Sequence, residues 1–137
     1  MQHEIERRIR SVAENRCGYC LSPQHLVFGK LEIEHLIPLS RGGTDEEVNL
    51  WLACRMCNNF KASQICAVDL VTSEAVLLFN PRQLRWSDHF AWSGDGKNIL
   101  GLTKCGRATT IALQLNNLVA TTVRANWVKA GWHPPPR

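Results

Sequence analysis

Two Cys-x-x-Cys pairs are the residues whose type and spacing most directly indicate chemistry. The first pair is Cys17 and Cys20, the second is Cys54 and Cys57, and together they account for four of the six cysteines in the chain. Thiolates at this spacing are typical ligands of a tetrahedral zinc ion, and a shell of four cysteines leaves no position open for water. The sequence therefore predicts one structural Zn²⁺ bound by these four residues.

A redox dithiol and a chance spacing are the alternatives to zinc. Residues 1–16 are charged and lack the apolar segment of a signal peptide, so we expect a cytoplasmic protein. In a reducing compartment, paired cysteines favour metal binding over disulfides. Cys66 and Cys105 are isolated, and we expect both to be small buried hydrophobic residues.

A group of polar residues lies between the cysteine pairs and directly after them. Glu34 and His35 precede Pro38, Asn49 comes further along, and Asn58 follows the last cysteine. Histidine is a base with a pKa near neutrality, and carboxylate and amide oxygens bind hard divalent cations. An isolated Glu-His pair is more often a packing or surface pair. The bracketing cysteines favour a functional interpretation here.

The hydrophobic pattern predicts an α+β fold. We expect a helix over residues 3–15, strands over 26–28, 31–35 and 49–53, and a helix from 58 to about 65. Residues 1–66 would form the zinc-bound module. Residues 67–137 would form an extension that packs on it within the same compact domain, with strands over 76–79 and 99–102 and helices over 107–118 and 119–130.

The charge and hydropathy of the chain permit nucleic-acid binding but do not establish it. The formal net charge is +4, and four thiolates with one Zn²⁺ would change it by −4 and +2, to about +2. No apolar run approaches the roughly 18 residues that a transmembrane helix needs, so no membrane association is expected.

Residues 17–61 combine several short motifs with the first cysteine pair: Glu34-His35, Pro38, Gly42-Gly43, Asn49-Leu50, Cys54-x-x-Cys57-Asn58 and Lys61. Through these motifs they resemble an HNH endonuclease of the ββα-metal type, in its subclass with two cysteine knuckles. Residues 79–82, 86–90, 106–109 and 131–135 are similar to the C-terminal extension of small stand-alone prokaryotic members.

The resemblance implies a metal-dependent DNA endonuclease with a ββα-metal core. It assigns His35 as the general base, Glu34 as a ligand of one catalytic divalent cation, and Asn49 as the residue that orients the loop and the histidine. Asn58 stands where many members have a histidine ligand, so this site would offer oxygen atoms. Oxygen ligands favour Mg²⁺ or Mn²⁺ as the catalytic ion.

Double-stranded DNA is the partner that the resemblance implies, and we expect a monomer or a weak homodimer. Arg41, Arg55 and Lys61 are candidate phosphate contacts. Two alternatives remain: a zinc-stapled DNA-binding module without cleavage, and a redox or metal-sensing protein that uses the cysteine pairs. The intact Glu34, His35 and Asn58 argue against a degenerate nuclease site.

Overall fold

The structure is a computed structural model that describes residues 3–136. Within these residues, helices and short antiparallel strands alternate, so the fold is α+β as predicted. The elements are α1 (His3–Val12), β1 (Glu32–His35), β2 (Leu50–Ala53), α2 (Arg55–Lys61), β3 (Cys66–Val68), β4 (Ala75–Leu77), α3 (Trp86–His89), β5 (Phe90–Trp92), β6 (Ile99–Gly101), α4 (Lys104–Ala112) and α5 (Leu118–Ala130).

The centre of the N-terminal half is a two-stranded sheet followed by a helix. Strands β1 and β2 pair antiparallel, with Glu34 opposite Trp51 and His35 opposite Leu50. All four residues of β2 are buried, which explains why this strand is a continuous apolar run. Helix α2 begins directly after Cys54, whose Sγ accepts a hydrogen bond from the backbone N–H of Cys57.

The long connection between β1 and β2 is shaped by Pro38 and two glycines. A short 3₁₀ helix, Leu39–Arg41, follows Pro38 and ends at Gly42 with a φ of 85°, a conformation that favours glycine. At Gly43 a Cβ would lie 1.8 Å from the carbonyl oxygen of Ile37. The connection therefore doubles back tightly against the end of β1.

One hydrophobic core joins the N-terminal helix, the cysteine knuckles and the sheet. Ile9, Tyr19, Leu31 and Leu52 are fully or almost fully buried in it. Burying a side chain of this size contributes about 1.5–3 kcal/mol to stability. Arg8 of α1 also forms an ion pair with Glu47, with 2.8 Å between Nη2 and Oε1, which connects α1 to the turn before β2.

Residues beyond α2 form two further hairpins, β3–β4 and β5–β6, that pack with α4. This part also bonds directly to the module before it. The indole N–H of Trp86 donates to the carbonyl of Tyr19 at 2.9 Å. The guanidinium of Arg82 donates to the carbonyl of Leu50 at 3.1 and 3.2 Å. The extension therefore contacts both the first knuckle and the start of β2.

Several predicted boundaries differ from the structure. Residues 26–28 form no strand, and the chain instead makes a 3₁₀ turn, Gln24–Leu26, with Phe28 exposed. The helix predicted over 107–118 begins at Lys104 and ends at Ala112, because Thr103 caps its start and Gln114 has a φ of 47°. Strands β3 and β5 were not predicted, since three-residue strands carry little periodicity.

The two isolated cysteines were predicted to be buried, but neither is fully buried in the structure. Cys66 is exposed at the start of the edge hairpin β3–β4, and Cys105 is half-buried in the first turn of α4. Burial raises the pKa of the Cys105 thiol above its ordinary value.

None of the helices within residues 3–136 combines the length and apolar character of a membrane span.

Candidate functional site

The four paired cysteines meet in one buried cluster. The Sγ atoms of Cys17, Cys20, Cys54 and Cys57 all lie within 4.8 Å of one another, and those of Cys20 and Cys54 are 3.7 Å apart. Four sulfurs about 2.3 Å from a tetrahedral zinc ion would be about 3.8 Å apart. The donor set therefore fits one structural zinc. Within residues 3–136 no other group of His, Cys, Asp or Glu has this potential.

The local backbone prepares this cluster for a cation. The backbone N–H groups of Tyr19 and Cys57 donate to the Sγ atoms of Cys17 and Cys54, each at 3.4 Å. Burial raises the pKa of Cys17, and hydrogen bonding with Cys17 raises that of Cys57. Hydrogen bonding with Cys17 instead lowers the pKa of Cys20. A bound cation would displace the protons that Cys17 and Cys57 hold without it.

Glu34 points into the interior, where two residues meet its carboxylate. The hydroxyl of Tyr19 donates to Oε1 at 2.5 Å, and Nζ of Lys61 lies 3.4 Å from Oε2. Burial raises the pKa of Glu34, and the charge of Lys61 opposes that increase. Oε2 nevertheless has no hydrogen-bond partner among the described residues. It is a buried carboxylate oxygen with spare capacity as an acceptor or ligand.

Lys61 supports the backbone beside His35. Only 2% of the residue is exposed, and its ammonium donates to the carbonyls of His35 and Leu36 at 3.1 and 3.2 Å. This placement differs from the expected phosphate contact, because the ammonium is enclosed within the protein. The lysine instead joins the C-terminal end of α2 to the end of β1.

The side chain of His35 lies at the surface, and 30% of it is exposed. Its Nε2 atom is 2.7 Å from Oδ1 of Asp45, which belongs to the loop between β1 and β2. Sequence reasoning missed Asp45, because the loop length gives no indication of which acid returns to the histidine.

Asn49 is buried and holds both sides of this loop. Its Oδ1 accepts from the backbone N–H of Ile37 at 2.8 Å, and its Nδ2 donates to the carbonyls of Ile37 and Thr44 at 2.9 and 2.8 Å. These three bonds join the two ends of the loop between β1 and β2.

Asn58 lies one turn into α2 and faces strand β1. Its amide nitrogen donates to Oε1 of Glu32 at 2.9 Å. Glu32 is a second residue that sequence reasoning missed, although its position two residues before Glu34 places it on the same face of the strand.

A shallow cleft brings three of the predicted residues together. Its volume is about 240 Å³. The residues that line it are Ile33, Glu34, His35, Pro38, Leu39, Asn58 and Ala62.

The two arginines proposed for phosphate binding lie in different surroundings. Arg41 is exposed, and its Nε–H donates to the carbonyl of Ser63, the residue after Ala62 of the cleft. Arg55 lies in the first turn of α2 and lines an apolar groove with Phe28 and Val119. The structure therefore anchors Arg41 to the residue that follows Ala62 of the cleft, whereas Arg55 lines a separate groove.

Comparison with known proteins agrees with this geometry. The family model described as HNH endonuclease matches residues 17–64, which contain both cysteine pairs, β1, β2 and α2. Searches among curated proteins and among solved structures found no match to the chain. Residues 17–64 therefore match the HNH endonuclease family model, and the four-cysteine cluster within them fits the zinc-knuckle form of that domain.

Proposed function

We propose that this protein is a metal-dependent DNA endonuclease that hydrolyses phosphodiester bonds, with His35 as the general base. The observation that carries the proposal is the single cleft that His35, Glu34 and Asn58 share inside the HNH domain. An imidazole that reaches solvent beside oxygen ligands is the arrangement that hydrolysis of a phosphodiester requires.

His35 would accept a proton from the attacking water. A neutral imidazole has a lone pair on one ring nitrogen and can serve as this general base. Its position is held by pairing with Leu50 across the sheet and by the bond from Lys61 to its carbonyl. The ring therefore projects from a rigid strand end, which favours a productive geometry for proton transfer.

Glu34 and Asn58 would hold the catalytic cation. Oε2 of Glu34 accepts no hydrogen bond from the described residues, and this observation supports the ligand set together with the bond to Glu32 that orients the Asn58 amide. Carboxylate and amide oxygens suit Mg²⁺ or Mn²⁺, and such an ion would stabilise negative charge on the phosphate and on the leaving oxygen. Zinc at the four cysteines would have only a structural role.

Arg41 would contact the DNA backbone beside the cleft. Its Nε–H is anchored to Ser63, which leaves the exposed outer edge of the guanidinium for a phosphate. Phosphate contacts of this kind position DNA without reading its sequence. We therefore propose double-stranded DNA as the substrate, bound with little sequence preference.

Conversion of supercoiled plasmid tests this proposal. Wild type would be incubated with Mg²⁺, with Mn²⁺ or with EDTA, beside His35→Ala and a matched His25→Ala control, since His25 is exposed and lies outside the cleft. We expect metal-dependent formation of open-circular DNA by wild type and His25→Ala, and none by His35→Ala. Equal cleavage by His35→Ala would overturn the assignment of the base.

A DNA-binding module without cleavage is the second candidate. The observation that favours it is the Lys61 ammonium beside Glu34, because this charge already compensates the carboxylate that the cation would need. A gel shift of plasmid or duplex DNA without cleavage in any metal would support this second function over the first.

A further inference from the structure

We propose that Asp45 is a positioning residue that fixes the ring orientation and the proton location of His35. The inference rests on the proposed function, because it concerns the same base. Asp45 lies outside the residues that carry the HNH resemblance and lines neither the cleft nor the zinc cluster.

The contact between the two side chains is short and direct. Oδ1 of Asp45 lies 2.7 Å from Nε2 of His35. Hydrogen bonds that involve a charged group typically have this length and are stronger than neutral ones. Among the described residues, this is the one hydrogen bond that the imidazole ring makes. The remaining ring nitrogen, Nδ1, makes no hydrogen bond with the described residues.

The loop that carries Asp45 is held in place on both sides. Before it, the carbonyl of Thr44 accepts from the buried Asn49 at 2.8 Å. After it, the backbone N–H of Glu46 donates to Oγ1 of Thr44 at 3.3 Å. Further back, the N–H of Gly43 donates to the carbonyl of Pro38 at 3.0 Å. The carboxylate thus reaches His35 from an anchored loop.

His35 is anchored independently of this loop. Its carbonyl accepts from Lys61, and its backbone pairs with Leu50 in the sheet. Both partners of the contact are therefore positioned by buried groups, although 77% of the Asp45 side chain is itself exposed. An exposed carboxylate has little structural value at such a place, since surface substitutions usually change stability by about 0.5 kcal/mol or less.

The contact determines which ring nitrogen carries the proton. An ionised carboxylate only accepts hydrogen bonds, so Nε2 must be the protonated nitrogen of the neutral ring. Nδ1 then keeps its lone pair and is the atom that accepts a proton from water. The electron pair of the broken O–H bond remains on the water oxygen, which bonds to phosphorus as the bond to the leaving sugar oxygen breaks. The leaving oxygen takes a proton from solvent.

After the proton transfer, His35 is an imidazolium with a proton on each nitrogen. Nε2–H remains directed at the Asp45 carboxylate, whose negative charge faces the new positive charge. This pairing becomes stronger as the reaction proceeds, so it lowers the barrier without increasing the affinity for DNA. The expected signature is a change in kcat with an unchanged KM.

Cleavage kinetics of Asp45→Ala on a labelled duplex test the inference, with Glu46→Ala as the matched control. Glu46 is the adjacent exposed carboxylate and makes no side-chain contact with His35. We expect kcat to fall about 10- to 100-fold in Asp45→Ala with KM unchanged, because general-base catalysis contributes about 10²–10⁴-fold. Glu46→Ala should cleave like wild type. A wild-type kcat in Asp45→Ala would overturn the proposal.

Nitrogen-15 NMR of the His35 ring supplies a readout that does not depend on cleavage. At a pH where the ring is neutral, we expect a protonated Nε2 in wild type and a changed Nε2 shift in Asp45→Ala, but not in Glu46→Ala. Identical ring shifts in wild type and Asp45→Ala would overturn the contact. If the ring shifts of wild type and Asp45→Ala differ but wild type cleaves no DNA, the proposed function and the catalytic role of Asp45 are overturned. The contact between Asp45 and His35 would then still stand.

Discussion

The ammonium of Lys61 lies 3.4 Å from the carboxylate of Glu34, and both side chains are almost completely enclosed. The same carboxylate accepts from Tyr19, which stands between Cys17 and Cys20 of the first knuckle. The same ammonium donates to the carbonyl of His35. A buried polar network therefore connects the zinc cluster to the strand end that carries the proposed base.

We expect Lys61→Met to destabilise the protein strongly. The substitution keeps the apolar stem but removes the charge that faces Glu34. Only 3% of Glu34 is exposed to solvent. Removing one partner of a buried ion pair typically costs about 3–5 kcal/mol. Urea denaturation would measure the change, with the exposed Lys129→Met as the control. A loss no larger than that of the control would contradict the inferred role of the pair.

The defect of Lys61→Met should depend on pH. Burial raises the pKa of Glu34, and Lys61 is the main influence that lowers it. A carboxyl whose pKa is raised on folding contributes stability below its unfolded pKa, and this contribution is lost as pH rises through the folded value. The variant should therefore lose more stability than wild type as pH rises above about 4.3, the ordinary pKa of a glutamate in an unfolded chain. Parallel pH profiles would contradict this.

Removal of zinc should unfold the HNH domain. The four cysteines are buried at the centre of the core cluster, and structural zinc sites contribute about 10–16 kcal/mol of binding free energy to folding. We expect one zinc per chain in wild type, and loss of both zinc and near-UV circular dichroism in Cys54→Ser. Cys66→Ser, at an exposed isolated cysteine, should retain both. Native dichroism without metal would contradict a structural zinc.

The parts of the site that could be predicted from sequence are those with fixed local spacing. Each cysteine pair lies within a single turn, and four thiolates from two such pairs can bind one ion. The four-cysteine cluster could therefore be predicted from the sequence. The apolar strand β2 and the helix after Cys54 are likewise local features. The loop-orienting role of Asn49 could be anticipated only through the resemblance to HNH endonucleases.

The parts that could not be predicted depend on packing between distant segments. Whether Lys61 faces DNA or the interior is decided by how α2 lies on β1, and no pattern within the helix encodes that. Asp45 reaches His35 only because Gly43 and Asn49 fold the loop back. Glu32 bonds Asn58 across 26 residues of sequence. Each of these contacts follows from tertiary geometry.

Arg107→Ala should destabilise the extension, and this loss of stability should be smaller at acid pH. Arg107 donates to both carboxylate oxygens of the buried Asp69 at 2.9 and 3.0 Å, and it lowers the pKa of that carboxyl. A carboxyl with a lowered pKa contributes stability above its unfolded pKa, and this contribution is lost as pH falls through the folded value.

The difference in Tm between wild type and Arg107→Ala should therefore be largest near pH 7 and should shrink below about pH 4, where the unfolded carboxyl protonates. Thermal unfolding followed by circular dichroism measures it. Arg85→Ala, at an exposed arginine without an acidic partner, is the control and should match wild type at every pH. A constant difference in Tm from neutral to acid pH would show that the ion pair is not the cause.

Arg41→Ala should weaken DNA binding, whereas Arg55→Ala should not. Arg41 is anchored to Ser63 beside the cleft, and Arg55 lies on a separate apolar groove. Loss of one phosphate contact should raise the Kd for duplex DNA and reduce the slope of log K against log salt by about 1. Fluorescence anisotropy across a salt series measures both quantities. Since the two substitutions remove the same charge, equal losses would mean that only net charge matters and that DNA does not cross the cleft at Arg41.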